Sequence, residues 1–152
     1  MFRQLVEQGH TRFYDRAENW EDAIRLSCKA LEETDVVDET YKEVIIQCVK
    51  ESGPYIVIAP MIALPHSQIG ATGVKKTAVA FTSFKEAVSF EPGDDEKDAR
   101  LFFTLASCNP DQHLTNIQML SEILDNEDFI AELLTATTDD ELIKIYSKYF
   151  ET

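Results

Sequence analysis

The side chains best suited to group-transfer chemistry in this sequence are His66, His113 and Cys108. His66 closes the run A-P-M-I-A-L-P-H, residues 59 to 66, whose first seven residues carry no charge. Pro60 and Pro65 bias Ala59 and Leu64 towards extended backbone, and each removes an amide donor. Such a stretch suits a stiff segment at a sheet edge or a loop pressed against a core. Either would fix the point at which the imidazole emerges, and nucleophilic work depends on that positioning. His113 lies in N-P-D-Q-H-L. With Asp111 as N-cap, His113 falls in the first turn of the following helix. Unpaired amides and the positive end of the helix dipole gather there and form a natural oxyanion or phosphate site. Taken alone, each histidine also has a plainer reading: a packing residue at 66, an exposed first-turn residue at 113. His10, which follows Gly9, is expected on a surface loop.

Three chemistries compete for these side chains. Zinc binding needs more ligands than the His and Cys spacings supply, so no metal and no cofactor is expected. A Cys108/His113 nucleophile pair would sit on one short connection with no evident orienting partner. Phosphoryl transfer through imidazole needs one nucleophilic histidine and donors for the phosphoryl oxygens, which the inventory meets. Cys28 and Cys48 fall in helical apolar patterns and read as core residues. An odd count of three cysteines without paired spacing argues for reduced thiols.

The elements that must position these groups fit one domain over residues 1–152. Hydrophobic residues make up 44% and charged residues 28%, a globular composition. The net charge of -14 repels nucleic acid and anionic membrane surfaces, and suits a basic-faced protein partner if any. It also disfavours a bound phosphate unless local donors outweigh the global field. The longest apolar run, Tyr55 to Pro65, is too short and too interrupted to insert in a membrane, and a cytoplasmic location is expected. A first recognisable helix begins at Asn19 and continues through Leu31, and a second runs from about Asp38 to Glu51 and stops at Gly53-Pro54. Tyr55–Ala59, Thr77–Phe84 and Arg100–Ala106 read as strands. Glu91 to Asp98 reads as a solvated acidic turn without calcium-loop spacing. Helices follow after Asn109-Pro110, over Asp128–Thr135 and over Asp139–Tyr149. In the first of these, Leu114, Ile117, Leu120, Ile123 and Leu124 form the apolar face. The expected fold is α/β with an α+β character: a mixed β-sheet flanked by helices on both faces.

The stretch G-P-Y-I-V-I-A-P-M-I-A-L-P-H, Gly53 to His66, resembles the active-site segment of enzyme IIA components of the bacterial sugar phosphotransferase system, fructose/mannitol type. The G-P-Y…A-P…A-x-P-H form is most similar to the ascorbate-specific branch, as is V-K-K-T-A-V-A-F, Val74 to Phe81. Gln112-His113-Leu114 resembles the family's second histidine before a helix. The likeness covers essentially the whole chain.

That resemblance implies a cytoplasmic phosphotransferase whose His66 takes a phosphoryl group from the histidine-containing phosphocarrier protein. The group would pass to a cysteine of a cognate enzyme IIB, and a membrane permease, enzyme IIC, would deliver it to an incoming sugar. His113 would steady the phosphoryl oxygens, and first-turn amides would help. Two positions depart from the family pattern. Ser67 stands where glycine or alanine is common and offers a hydroxyl or a turn cap. Lys50 stands where many members carry an arginine, supplying charge without the bidentate fork, or serving only as a C-terminal helix cation. Two alternatives remain: a regulatory enzyme IIA that controls a target protein by its phosphorylation state, and a small thiol enzyme using Cys108. Neither the sugar nor the oligomeric state is legible.

Overall fold

The structure is a computed structural model and describes residues 1–151. Helix α1 (Phe2–Gln8) leads into strand β1 (Thr11–Tyr14), followed by α2 (Trp20–Ser27), α3 (Lys29–Glu33) and α4 (Thr40–Ser52). Strands β2 (Val57–Ala59), β3 (Met61–Ala63), β4 (Ala78–Ser89) and β5 (Asp98–Ala106) come next. Helices α5 (Pro110–Leu124), α6 (Glu127–Leu133) and α7 (Asp139–Phe150) complete the chain. The five strands lie in the order β1-β4-β5-β3-β2. β1 is parallel to β4 and β3 to β5, whereas β4/β5 and β2/β3 are antiparallel. The sheet is mixed, as expected.

Alternation along the strands divides the core between two layers, because successive side chains leave opposite faces of a strand. Ala80, Phe84, Phe102 and Ala106 point to the layer built by α2, α3 and α4. Val79, Phe81, Leu101, Phe103 and Leu105 point to the layer built by α1, α5, α6 and α7. Both faces are covered, so β4 and β5 read as nearly continuous apolar runs rather than alternating ones. Phe81 and Phe103 are register partners with ring centroids 5.3 Å apart, and Phe2 of α1 stands edge-on to Phe81 at 5.5 Å. Each such ring contributes roughly 1.5–3 kcal/mol by leaving water.

Several expectations are corrected here. The proline-bracketed segment is neither an edge nor a loop, since β3 lies between β5 and β2 inside the sheet. Its prolines bracket the strand without occupying it: Pro60 sits in the turn from β2, before Met61 with its left-handed φ of 71°, and Pro65 lies two residues past Ala63, the end of β3. The edge belongs to β2, and its Ile58 is 49% exposed. The apolar pattern from Asn19 to Leu31 is two helices that break at Cys28, not one. Cys28 itself is buried, and burial pushes its thiol up to about 12. On α5, Leu114 is exposed rather than apolar-facing. α1 and β1 were not foreseen, and they explain His10. It is not on a surface loop but buried between them, with Nε2 2.9 Å from the Thr34 hydroxyl.

The segment after β3 is pinned to the start of α4. Gly73 O accepts from Asp38 N–H at 2.8 Å, and Val36 O accepts from the N–H groups of Lys75 and Lys76. At Gly73, φ is +93°, and a Cβ there would lie 2.5 Å from Asp38 Oδ1 and 2.9 Å from Tyr41 N. No helix of the described residues is long and apolar enough to cross a membrane.

Two outcomes follow from this packing. Gly73→Ala should destabilise the protein by about 1–3 kcal/mol, seen as a lower midpoint in urea unfolding with an unchanged slope. The second concerns His10. Desolvation, with Arg12 adding to it, holds its imidazole below the ordinary 6.5. The unfolded chain therefore takes up a proton first as pH falls. The stability His10 contributes is complete above 6.5 and is lost as pH drops from there through the folded value. Urea midpoints measured across about pH 5–8 should fall towards acid more steeply in the wild type than in His10→Gln.

Candidate functional site

Parallel strands end at the same edge, and β3 and β5 bring their C-terminal continuations together there. Leu105 N–H donates to Pro65 O at 2.9 Å, and Gly70 N–H donates to Ser107 O at 2.7 Å. The loop 66–70 is thereby stitched to the end of β5. Pro65 is buried, and because it has no N–H it leaves no donor to satisfy.

His66 is half-buried, with Nδ1 2.5 Å from Leu64 O. A carbonyl oxygen only accepts, so Nδ1 carries the hydrogen and Nε2 keeps its lone pair. Tyr55 stands edge-on to the imidazole with centroids 5.3 Å apart, and its hydroxyl donates to His66 O at 2.5 Å. Burial and the neighbouring Cys48 thiol push the Tyr55 phenol up to about 12, so it remains a donor. Behind them the buried Tyr41 hydroxyl donates to Leu105 O at 2.6 Å and accepts from Ser67 N–H at 3.2 Å. Burial pushes that phenol up as well. One tyrosine of α4 thus joins β5 to the residue after His66.

His66 opens into a cleft of about 480 Å³ lined by Val44, Cys48, Tyr55, Ser67, Gln68, Ala71 and Thr72. None of these side chains is a carboxylate, although 28 of the 152 residues are acidic. An arriving anion meets no repelling carboxylate in the cleft wall. Cys48, expected in the core, is instead half-buried in this wall, 3.8 Å from Ser67 Oγ. The buried stripe of α4 is Tyr41, Ile45, Ile46 and Val49, and Cys48 flanks it with Val44. Lys50 is exposed in the last turn of α4 and does not line the cleft.

His113 is in the first turn of α5, but its cap is Asn109, not Asp111. Asn109 Oδ1 accepts from the N–H groups of Asp111 and Gln112 at 3.0 and 3.1 Å, and Asn109 O accepts from His113 N–H at 2.9 Å. Pro110 has no N–H, so this first turn keeps no free amide for an anion. The expectation of first-turn amide donors fails on that count. What His113 offers is its ring. Nδ1 lies 2.5 Å from Ser107 Oγ, directly beyond β5. His66 and His113 are thus suspended from neighbouring strand ends, although His113 does not line the His66 cleft. Cys108 is exposed, and its Sγ lies 3.6 Å from Thr77 Oγ1 and 3.8 Å from Lys75 O. The sulfur turns to the segment leading into β4, not to His113, and the thiol–imidazole pair is not formed. Tyr41, Tyr55 and Ser107 were not singled out from the sequence. Tyr41 falls within the helix expected from about Asp38 to Glu51, where nothing marks its hydroxyl.

Residues 4–149 match the family described as phosphoenolpyruvate-dependent sugar phosphotransferase system, EIIA 2. The mannitol-specific cryptic phosphotransferase enzyme IIA component of Escherichia coli K12 is 34% identical over 132 residues, 87% of this chain and 88% of that protein. The ascorbate-specific EIIA component of the same strain is 28% identical over 145 residues, covering 95% and 93%. A complex of the E. coli mannitol enzyme IIA with phosphorylated enzyme IIB superposes with a TM-score of 0.74 at 26% identity, covering 93% of this chain and 95% of that one. The chain belongs to the EIIA 2 family of the phosphoenolpyruvate-dependent sugar phosphotransferase system, phosphotransferases that carry phosphoryl groups on histidine for sugar uptake.

Proposed function

We propose that His66 is the histidine that carries the phosphoryl group, on Nε2. The observation that supports this is the bond from His66 Nδ1 to Leu64 O, which leaves Nε2 as the nucleophilic nitrogen beside a cleft without carboxylates. In the first step the N–P bond of the phosphocarrier protein's phosphohistidine breaks as the Nε2–P bond of His66 forms. In the second that bond breaks as an S–P bond forms on a cysteine thiolate of enzyme IIB. The donor and acceptor groups are reactive already, so alignment and charge stabilisation provide most of the catalysis. Pro65 and the Tyr55 ring limit the approach of water, which would otherwise hydrolyse the phosphohistidine.

The phosphoryl oxygens would be met by the His113 ring and by the loop after His66. Among the described residues, the N–H groups of Gln68 and Ile69 make no bond within the chain, and the Ser67 hydroxyl is adjacent. Lys50 would act at longer range, as a positive charge near the rim. The unit would be a single domain over residues 1–152, working in the cytoplasm with a permease, enzyme IIC, downstream. For substrate we favour the ascorbate-type system on the strength of the Gly53–His66 pattern; a mannitol-type system is the competing outcome.

A labelled phosphocarrier protein and a panel of purified enzyme IIB domains test this reading. The wild type should take label and pass it preferentially to an ascorbate-type IIB. His66→Ala should remain folded and take none, and label retained at wild-type level would remove His66 from the role. For His113→Ala we expect transfer slowed roughly a hundred- to a thousandfold, the usual cost of one lost donor to developing charge. His113→Gln should recover part of that rate, because an amide donates where a methyl cannot. Label mapped to His113 in the wild type would reverse the two assignments.

A further inference from the structure

The two histidines are held by different kinds of partner. His66 Nδ1 meets a backbone carbonyl, whereas His113 Nδ1 meets a hydroxyl at 2.5 Å. A carbonyl leaves one choice of tautomer, and a hydroxyl can either donate or accept. Burial decides between them. Ser107 is only 4% exposed, and among the described residues its Oγ has no hydrogen-bond partner other than His113. If Nδ1–H donated to Oγ, the Ser107 hydroxyl hydrogen would be left in the interior without an acceptor. If the hydroxyl donates, its one hydrogen is used and only acceptor capacity is left over, which is the lesser penalty.

We propose that Ser107 is a positioning residue for phosphoryl transfer: its buried hydroxyl donates to Nδ1 of His113 and so keeps the ring hydrogen on Nε2. This rests on the reading of His113 as a donor to the phosphoryl oxygens. The consequence is a division of labour. His66 presents a lone pair at Nε2, and His113 presents an N–H at the same ring position. The first can attack phosphorus and the second can only assist.

Placement strengthens the case. Ser107 follows β5 directly, and its own carbonyl accepts from Gly70 N–H in the loop that begins at His66. The same residue therefore fixes the His113 ring through its side chain and the His66 loop through its backbone. Only the first of these functions is lost when the hydroxyl is removed, so Ser107→Ala separates them.

The test is long-range nitrogen–proton NMR on the full chain at mildly alkaline pH, which reports which ring nitrogen bears hydrogen, paired with transfer rates to enzyme IIB. The wild type should show hydrogen on Nε2 of His113 and on Nδ1 of His66. In Ser107→Ala the His113 ring should become a mixture of tautomers, with His66 unchanged. Transfer should slow by roughly ten- to a hundredfold, by analogy with the loss of a partner that orients a metal-ligating histidine. Ser107→Thr, which keeps a hydroxyl, should restore both the tautomer and much of the rate. Hydrogen on Nδ1 of His113 in the wild type would overturn the proposal, as would a tautomer unaltered in Ser107→Ala. A shifted tautomer with an undiminished rate would overturn it too. In that case an undiminished rate in His113→Ala places the failure in the role given to His113, and a diminished one places it in Ser107.

Discussion

The hydrogen bond from Leu105 N–H to Pro65 O, 2.9 Å long, holds the remainder of the site in register. It continues the parallel pairing of β3 with β5 beyond the end of β3 and sets how far each strand extends past the sheet. A one-residue slip would turn every side chain of β3 to the opposite face. Ile62 and Ala63 of β3 are buried in opposite layers, and a slip would exchange a large side chain for a small one in each, so the core opposes it. The position of the imidazole is accordingly set by apolar packing some distance from it, and the polar contacts at the rim refine it.

Tyr41 shows how that refinement is made. Its hydroxyl lies between Leu105 O and Ser67 N–H, so α4, β5 and the loop after His66 share one atom. The phenol is buried and stays protonated, which lets it donate and accept at once. α4 is in turn fixed at its start, where Asp38 Oδ1 accepts from Thr40 N–H at 2.8 Å and Gly73 closes over it. Helix, strand and loop are therefore constrained in a cycle, and no member can shift alone.

Much of this was legible beforehand, for identifiable reasons. The apolar runs that became β4 and β5 could hardly be solvated, and the uncharged run ending in Pro65-His66 stood out, although residue type alone also allowed a packing role for His66. The mixed sheet with helices on both faces was readable from the order of elements. The less legible features depend on competition between neighbours. Asn109 and Asp111 are both good caps, and the rigid φ of Pro110 makes it a favoured first helical residue, which gives Asn109 the cap position. Pro60 and Pro65 suggested an edge because a proline within a strand costs a ladder bond; lying at its ends, they cost none. β1 has four residues and α1 seven, too short for a period to stand out, and the burial of His10 followed from them. Tyr41, Tyr55 and Ser107 act through single atoms that no spacing rule identifies.

The charge distribution has a consequence for how partners tell one state of this carrier from the other. A phosphoryl group brings about two negative charges to a chain that already carries -14. At physiological salt, exposed charges are screened beyond roughly 8 Å. A protein approaching from solution therefore senses nearly the same field whether the carrier is loaded or empty. Long-range attraction can raise the frequency of encounters, but it raises them for both forms alike. Recognition of cargo has to occur at contact; with the group on His66, as proposed, that contact lies at a cleft whose wall contributes no negative charge of its own, and the phosphoryl group would be the one strong local signal.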